Sequence, residues 1–546
     1  MKKYTLGFDF GTESERTVLV EINSGEIVAV ASHDYSDGVV DKNLPGSTEQ
    51  LPPEWALQNP QDWMDCLEKT VPQVIRESRV EPAGIIGIGI DFTACTILPT
   101  LEDGTPLCFL DKYKNRPNAW TKLWKHHAAQ PYADRVNKLA EQRNEAFLPR
   151  YGGIISSEWS LPKAWQVLDE DADIYQVAHY FVEGADWVAW QLGGKLFRNS
   201  CGAGYKGMWH KSDGFPSQEF LATCSPDLTE LFTKKFAGPM AAPGEKVGEL
   251  NEKWAQKLGL TAGISIGGAI IDAHSAAIGG GVTGPGTLFM IMGTSTCHML
   301  MAEEEVLVAG ISGVVEDGIV PGFFGYEAGQ AGVGDIFAWL VKNGVPPVYH
   351  DEAKKKRVSL HEILTEKAQN LQPGQSGLLA LDWWNGCRTP LVDADLTGVM
   401  VGYSLQTTAE EIYRALIEAT AFGTRKIVEL FREGGVRIDH VCAGGGLTQN
   451  KLLMQIYADI IGVPIEVAAS PQSSALGAAI IGAVAGKAYP SISVAASKMA
   501  PPPERIIEPI PAHHKIYSSL YKEYELLSVF FGENKDSVLK KVKALR

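Results

Sequence analysis

A glycine and hydroxyl turn occurs twice in this chain, each time directly after a short apolar run that predicts a β-strand. The first turn, residues 11–14 (Gly-Thr-Glu-Ser), follows residues 6–10, and the second, residues 293–296 (Gly-Thr-Ser-Thr), follows residues 287–291. A further strand-like run comes after each turn. Glycine allows close backbone approach, and successive N–H groups with hydroxyls can bind an anion. The repeat therefore predicts two related domains, each with a β-hairpin whose tip can hold phosphate.

The composition restricts the class of protein. With 546 residues the chain exceeds what one hydrophobic core usually organises, so two domains are expected. The formal net charge of -16 argues against a nucleic-acid or anionic-membrane partner, because phosphate backbones require clustered Lys and Arg. The 8 cysteines are scattered without a C-x-x-C pair, and the sequence has neither a signal-peptide core nor a membrane-length apolar run. We expect a soluble cytoplasmic protein.

Strand-like runs alternate with helical stretches along the chain, the pattern of an α/β protein. Residues 84–91 are nearly all apolar, as in a strand covered on both faces. The clearest helix is predicted to begin at Thr408, with Glu411 completing a capping box. The predicted division is a first domain over 1–280, a second over 281–500, and a proline-rich linker with a solvated terminal helix over 501–546.

Three aspartates occupy related positions in the pattern. Asp9 and Asp91 end strand-like runs, and Asp272 follows another. Ligands of α/β proteins bind at strand ends, where a carboxylate can hold Mg²⁺ or accept the proton of a substrate hydroxyl during phosphoryl transfer. A helix-capping role remains the alternative for each, most of all for Asp91. His274 follows closely, but no further zinc-type ligand is spaced nearby, so oxygen-bound Mg²⁺ is the expected metal.

Three successive glycines, residues 444–446, come after an apolar run and before a predicted helix over 450–461. A glycine-rich approach to a helix amino terminus favours a bound nucleotide. A flexible turn is the alternative. The two earlier turns favour the nucleotide interpretation, since they already predict phosphate binding.

Several segments, taken together and in order, resemble the FGGY family of carbohydrate kinases. They are residues 9–16, 268–274, 293–296, 443–446 and 474–479. The resemblance covers nearly the whole chain and implies an α/β fold of two ribonuclease-H-like domains, of the actin-like ATPase type, that close on ATP at a central catalytic cleft. Further segments are similar to the members that phosphorylate L-ribulose: residues 151–159, 203–210, 327–330 and 381–390. Glu15 departs from the family pattern and is expected to point to solvent.

The resemblance also implies roles for individual residues. Asp272 would be the general base that receives the proton of the attacking hydroxyl, and Asp9 would position Mg²⁺. The sugar would be bound by Asp272 together with Ala94, Lys206 and Glu327. ATP would be bound by Gly11, Thr12, Ser14, Arg16, Gly293, Thr294, Gly334, Asn385, Gly444, Gly445, Gly446 and Asn450.

The implied reaction is ATP-dependent phosphorylation of L-ribulose at O5 in L-arabinose catabolism, with tolerance of D-ribulose and ribitol. A homodimer is a family-level expectation. The alternatives are another FGGY kinase, acting on ribitol, xylulose or glycerol, and a non-sugar actin-like ATPase. Lys206, Glu327 and residues 268–272 weigh against the ATPase, because they belong with kinases of small molecules.

Overall fold

The structure is a computed structural model that describes residues 2–534 and 537–545. The strands are β1 Tyr4–Phe10, β2 Ser14–Glu21, β3 Ile27–Asp34, β4 Leu57–Gln58, β5 Ile85–Phe92, β6 Ile97–Thr100, β7 Thr121–Lys122, β8 Tyr180–Glu183, β9 Arg198–Asn199, β10 Met240–Ala241, β11 Lys246–Glu249, β12 Ser265–Gly267, β13 Ile270–Ile271, β14 Gly286–Met292, β15 Thr296–Ala302, β16 Gly313–Glu316, β17 Phe324–Gln330, β18 Leu379–Leu381, β19 Val399–Val401, β20 Ile438–Gly444, β21 Ile465–Val467 and β22 Arg505–Ile507.

The α-helices connect and cover these strands. They are α1 Pro60–Ser78, α2 Gln130–Arg143, α3 Ser160–Glu170, α4 Ala172–Val177, α5 Gly184–Gly193, α6 Ser200–Gly207, α7 Gln218–Cys224, α8 Glu252–Leu258, α9 Asp272–Gly279, α10 Gly334–Asn343, α11 Pro347–Lys356, α12 Leu360–Ala368, α13 Ala409–Glu433, α14 Lys451–Ile461, α15 Ser473–Ala485, α16 Ile492–Met499, α17 Pro511–Ser528 and α18 Val538–Lys543. Within residues 2–534 and 537–545, none of them combines the length and apolar character that a membrane crossing requires.

The first sheet has the strand order β11-β12-β5-β1-β2-β3, with β13 also paired to β5. β1, β2 and β3 are antiparallel neighbours, and β5 lies parallel to β1 on the other side. The β1–β2 hairpin predicted from the first turn is confirmed, since β1 ends at Phe10 and β2 begins at Ser14. The predicted phosphate turn, residues 11–14, is therefore the tip of a hairpin in the middle of the sheet.

The second sheet repeats this arrangement with the strand order β16-β17-β15-β14-β20-β21-β22. β14 and β15 form the second predicted hairpin, β17 is antiparallel to β15, and β20 is parallel to β14. In each sheet three antiparallel strands precede a parallel one in the same chain order. The predicted α/β fold with two related domains is confirmed.

Helix α15 joins the two halves, although it belongs to the second half of the sequence. It lies directly on the first sheet, where a Cβ at Gly7 would be 2.0 Å from the Ala475 carbonyl oxygen and a Cβ at Gly89 would be 1.8 Å from that of Ala478. Backbone contact this close requires glycine. The segment 474–479 thus packs the second half against the strands that carry Asp9 and Asp91.

The long helix α13 follows its sequence prediction. The Glu411 carboxylate accepts a hydrogen bond from the Thr408 N–H at 2.8 Å, and Leu416, Ile427 and Phe431 are buried along one side. Satisfying an unpaired N–H at the first turn fixes where the helix begins. This prediction is confirmed.

The carboxy-terminal segment differs from its prediction. Residues 501–546 were predicted as a linker and a solvated helix, but β22 adds a strand to the second sheet and α17 buries Tyr517, Tyr521 and Tyr524 against the core. The Tyr524 hydroxyl donates to Asp382 Oδ1 at 2.9 Å. The predicted helix over 514–546 is also broken after α17, and its residues 535, 536 and 546 lie outside the described residues. The linker interpretation is wrong, because the tyrosines at helical spacing form a buried face.

Candidate active site

Three carboxyl groups lie at one edge of the first sheet. Asp9 and Asp91 are register partners in the parallel strands β1 and β5, and β13 pairs Ile271 with Phe92, so that Asp272 follows at the same edge. Parallel strands bring their carboxyl ends together, which is why strand-end acids that are distant in sequence meet here. The structure therefore gathers the three aspartates that the sequence singled out.

Burial and mutual repulsion shift the acidity of these groups. Burial raises the pKa of Asp272 to about 7, and the Asp9 charge adds to the effect. Burial also raises the pKa of Asp9, against the opposing charge of Arg16, whose Nη1 lies 3.1 Å from Asp9 Oδ2. For Asp91, burial and then the Asp9 charge raise the pKa well above its ordinary value. Neighbouring carboxyl groups resist ionising together without a compensating charge, so this edge favours a positive charge.

The first phosphate turn is held from outside. Gly11 N–H donates to the Ser14 carbonyl at 2.9 Å, which closes the hairpin tip. The Trp124 indole donates to Thr12 Oγ1 at 3.1 Å, and the Gln58 amide donates to the Thr12 carbonyl at 2.7 Å. These hydrogen bonds fix the backbone of the turn through contacts within the protein, so that no ligand is needed to hold it in place.

The second phosphate turn is continuous with the predicted nucleotide glycines. Gly334 N–H donates to the Gly293 carbonyl at 3.0 Å, and Asp335 N–H donates to the Thr294 carbonyl at 3.3 Å. Gly445 has a φ of 92°, and a Cβ there would lie 2.4 Å from the carbonyl oxygen of Met292, the last residue of β14. Glycine is required at this point because of both the left-handed backbone and the close approach.

The two halves meet at a small cavity between the phosphate turns. Asp9 and Arg16 line it from the first half, and Gly445, Ser473 and Ser474 line it from the second. The serines stand at the amino terminus of α15. Residues 474–479 resemble the family motif, but no role was predicted for them. The pair of serine hydroxyls at the start of the helix was the available signal.

The two predicted asparagine contacts are placed differently. Asn385 is exposed, and its amide donates to the Ala331 carbonyl at 3.4 Å, close to the Gly334 turn. Asn450 caps helix α14: its Oδ1 accepts from Leu453 N–H at 3.1 Å, and its Nδ2 donates to Thr365 Oγ1 at 3.1 Å. Its side chain already has partners, so a nucleotide contact from Asn450 stays a prediction.

A buried ion pair lies beside Asp272. Lys206 Nζ in α6 is 3.0 Å from Oε1 and 2.9 Å from Oε2 of Glu327 in β17. Burial would raise the pKa of Glu327, but the charge of Lys206 and its hydrogen bonds outweigh this effect and lower the pKa. Burial lowers the pKa of His274 to about 4, and its Nε2 is 3.5 Å from Glu327 Oε2. The pair is thus charged next to a neutral imidazole.

The turn that contains Ala94 is fixed by a lysine that the sequence analysis did not single out. Thr93 N–H donates to the Phe10 carbonyl at 3.0 Å, which places the turn beside the end of β1. Cys95 has a φ of 54°, and Lys163 Nζ donates to its carbonyl oxygen at 2.5 Å and to that of Leu123 at 2.8 Å. Lys163 is fully buried. A lysine in an amphipathic helix gives no local signal of such a role.

Glu15 does not point to solvent, and that prediction is wrong. Its side chain is fully buried, and the hydroxyls of Thr17 and Thr70 each donate to it at 2.7 Å. Burial raises the pKa of Glu15 to about 8. Successive strand residues face opposite sides of a sheet, so Arg16 faces Asp9 and the cavity while Glu15 faces helix α1.

Comparison with known proteins agrees with this arrangement. The model of the FGGY family of carbohydrate kinases, N-terminal domain, matches residues 4–279, and that of the C-terminal domain matches residues 288–486. The protein named ribulokinase from Halalkalibacterium halodurans is 52% identical, covering 100% of this chain and 98% of that protein. The ribulokinase of Geobacillus thermodenitrificans is 52% identical, covering 99% and 97%.

Solved structures show the same fold at low identity. A ligand-bound xylulose kinase from Lactobacillus acidophilus is 18% identical with a TM-score of 0.79, covering 96% of this chain and 98% of that one. A glycerol kinase from Plasmodium falciparum with ADP is 18% identical with a TM-score of 0.76, covering 97% and 98%.

Proposed function

The chain belongs to the FGGY family of carbohydrate kinases, and from that premise we propose that it transfers the γ-phosphate of ATP to O5 of L-ribulose. The full-length relatives named ribulokinase support this substrate. The observation that carries the chemistry is the position of Asp272, which follows β13 at the edge of the sheet where Asp9 lies. Burial and the Asp9 charge raise its pKa, and Glu327 and Lys206 are close enough to act on it as well. A base near both the predicted phosphate-binding groups and the predicted sugar-binding groups suits phosphoryl transfer to a hydroxyl.

Asp272 acts as the general base. Its pKa of about 7 leaves a large fraction ionised at neutral pH while making the carboxylate a better proton acceptor than an ordinary aspartate. It takes the O5 proton as that oxygen attacks the γ-phosphorus and the bond to the ADP oxygen breaks. The backbone N–H groups of the two turns and the Arg16 guanidinium offset the charge on the phosphate oxygens.

The Lys206–Glu327 pair orients the sugar. An ammonium only donates hydrogen bonds and a carboxylate only accepts them, so together they can satisfy neighbouring hydroxyl groups. Lys163 acts through the Ala94–Cys95 turn, whose backbone would form another wall of the sugar site. The Lys206 and Glu327 side chains are already buried before the sugar binds. When the sugar hydroxyls arrive, each side chain therefore exchanges a hydrogen bond to the other for a hydrogen bond to the sugar.

A magnesium ion fits the acidic edge of the first sheet. Mg²⁺ usually takes one or two carboxylates, with phosphate oxygens and water as its other ligands. Asp9, with the Asp91 carboxyl as its register partner in β5, fits that pattern. In the described ranges no group of three or more His, Cys, Asp or Glu side chains could enclose a metal by itself. Asp9 would hold the ion, which when bound neutralises charge on the β- and γ-phosphates.

Closure of the cleft on both substrates would exclude water, which otherwise competes as phosphate acceptor. We assign the reaction to L-arabinose catabolism in the cytoplasm, with D-ribulose and ribitol as tolerated substrates and a homodimer as the assembly. A kinase of ribitol, xylulose or glycerol remains the second candidate within the family, since the two predicted phosphate turns do not distinguish one sugar from another.

A coupled assay of ADP release tests the proposal. L-ribulose, D-ribulose, ribitol, L-xylulose, D-xylulose and glycerol are compared at equal ATP and Mg²⁺, and the product of the best substrate is examined by ³¹P and ¹³C NMR. We expect the highest kcat/KM with L-ribulose and a phosphate on C5. An ADP release rate that is the same with and without every sugar would exclude a sugar kinase.

A further inference from the structure

Two charged side chains beside the sugar site have no role in the mechanism above. Arg388 and Glu158 come from residues 381–390 and 151–159, segments that the sequence analysis associated with the substrate. Both side chains are partly exposed. In the chain as described, from 2 to 534 and 537 to 545, neither the guanidinium nor the carboxylate forms a hydrogen bond or an ion pair. Two opposite charges without partners next to a ligand cleft point to a polar ligand.

Arg388 lies over β17 on the face that carries Glu327. The next residue, Thr389, accepts a hydrogen bond from Gly329 N–H on its Oγ1 at 3.2 Å. A Cβ at Gly329 would be 3.1 Å from Arg388 Cδ and 3.4 Å from its Nη1. Residues two apart in a strand share a face, so the Arg388 side chain covers the glycine beside Glu327. The absence of a side chain at 329 makes room for the arginine.

Glu158 lies in the segment that leads into α3. It precedes Trp159, the N-cap of the helix, and its N–H donates to Ser156 Oγ at 3.2 Å. The same helix carries Lys163, which holds the Cys95 carbonyl of the Ala94 turn. Glu158 therefore lies near the turn predicted to contact the sugar. Burial lowers the pKa of Arg388, but the charges of Glu158 and of other acids, Glu327 among them, outweigh it and raise the pKa.

Glu327 is a neighbour of both ends of the proposed site. Its charge acts on Asp272, together with the charges of Asp9 and Lys206, and it acts on Arg388, together with the charge of Glu158. Arg388 covers Gly329, two residues along β17 from Glu327. A ketopentose with O5 at Asp272 and its central hydroxyls at Glu327 would extend its C1–C2 end toward Arg388.

The chemistry of the substrate requires a hydrogen-bond donor at that end. In the ring form of ribulose O5 is bonded to C2, so a ribulose that is phosphorylated at O5 must be bound as the open chain with a free C2 carbonyl. A carbonyl oxygen only accepts hydrogen bonds, and the guanidinium is a donor with N–H groups in a fixed fork. A carboxylate beside it can accept from the C1 hydroxyl.

Starting from the proposed phosphorylation of L-ribulose, we propose that Arg388 binds the C2 carbonyl and O1 of the open-chain ketose while Glu158 accepts from the C1 hydroxyl, so that the contact of Arg388 with the carbonyl favours ketoses over polyols. Arg388 and Glu158 thus recognise the end of the sugar that does not react. Lys206 and Glu327 bind the central hydroxyls.

The test compares Arg388→Met, Arg388→Lys and Glu158→Gln with the exposed control Arg437→Met, at a side chain that is 79% accessible. Steady-state KM is measured for L-ribulose and ATP, and ribitol is measured as a substrate or competitive inhibitor. For Arg388→Met we expect the L-ribulose KM to rise about 10- to 100-fold, the loss of one or two hydrogen bonds to a charged donor. The ribitol KM should rise less than the L-ribulose KM, because ribitol keeps the acceptor at O1 but has a tetrahedral C2 hydroxyl in place of the carbonyl, and the ATP KM should change by less than about threefold, because ATP is not bound by this residue.

Arg388→Lys should recover part of the loss, since lysine donates but lacks the fork. Melting temperatures identify a variant that does not fold, and Glu158→Gln then tests the same end of the sugar independently through its L-ribulose KM. Equal changes for L-ribulose and ribitol, or unchanged KM values in folded Arg388 and Glu158 variants, would overturn the assignment. Wild-type turnover of L-ribulose is the separate test of the proposed function, so the two can fail independently.

Discussion

Lys206 Nζ contacts both carboxylate oxygens of Glu327, at 3.0 and 2.9 Å, across the contact between α6 and β17. The accessible fractions of the two side chains are 6% and 8%. A pair this buried is costly to desolvate and is retained where charge is needed, whereas removal of one member leaves the other charged and unpaired. The relationship therefore predicts linked effects on stability and on sugar binding.

Lys206→Met should lower the free energy of unfolding by about 3–5 kcal/mol, the loss typical of breaking a buried pair. Urea denaturation measures this, and the L-ribulose KM should rise in the same variant. Adding Glu327→Gln should restore part of the stability but not the activity. Lys211→Met is the matched control, since its ion pairs with Glu316 and Asp317 are half exposed and should contribute less than about 1 kcal/mol. Equal losses in the two lysine variants would contradict the prediction.

Asp272→Asn should lower kcat about 10²- to 10⁴-fold, the usual contribution of a general base, while ATP binding is retained. The wild-type kcat/KM should fall as the pH drops below about 7, because burial raises the pKa of Asp272 to that value and only the ionised form takes a proton. The residual activity of the variant should lack this acid limb. Asp395→Asn, at a surface ion pair, serves as control. A full rate in Asp272→Asn would show that another group is the base.

Glu15→Gln should change how stability depends on pH. Exposed, Glu15 ionises near pH 4.5, whereas burial raises its pKa in the folded protein to about 8. The folded state therefore binds the proton more tightly, and this stability is complete below pH 4.5 and is lost as the pH rises toward 8. Urea midpoints between pH 5 and 9 should decline less steeply in Glu15→Gln than in wild type. The exposed Glu26→Gln should follow the wild-type curve, and a parallel decline in Glu15→Gln would exclude this account.

Local signals determined which parts of the fold could be predicted. Each of the two hairpins could be predicted because its strands and its turn are adjacent in sequence. The positions of Asp9, Asp91 and Asp272 near strand ends could be predicted from where the apolar runs stop. The burial of Glu15 could not be predicted, since helix α1, which contributes the Thr70 hydroxyl, is remote in sequence. A strand residue beside an arginine gives no sign of which face will be covered.

Long-range contacts also explain why two residues of the proposed site were not predicted. Lys163 donates to the Cys95 carbonyl and Arg388 lies over Gly329, in each case far away in the chain. The segment that contains Arg388 was associated with the substrate, but neither residue was given a role. The terminal segment is different, since Tyr517, Tyr521 and Tyr524 have the three- and four-residue spacing of a buried helical face. That signal was present and was outweighed by the prolines before it.

Gly445→Ala should weaken ATP binding more than sugar binding. The left-handed φ of 92° at this residue and the 2.4 Å separation of an added Cβ from the Met292 carbonyl would force the glycine turn away from the end of β14. Because β14 leads directly into the second phosphate turn, the displacement acts on nucleotide contacts. We expect the ATP KM to rise about tenfold or more, a cost of about 1–3 kcal/mol for a strained backbone position. Gly284→Ala, with no atom within 4 Å of the added carbon, should leave both KM values unchanged, whereas an equal rise in the L-ribulose KM of Gly445→Ala would place the glycine turn nearer the sugar than we propose.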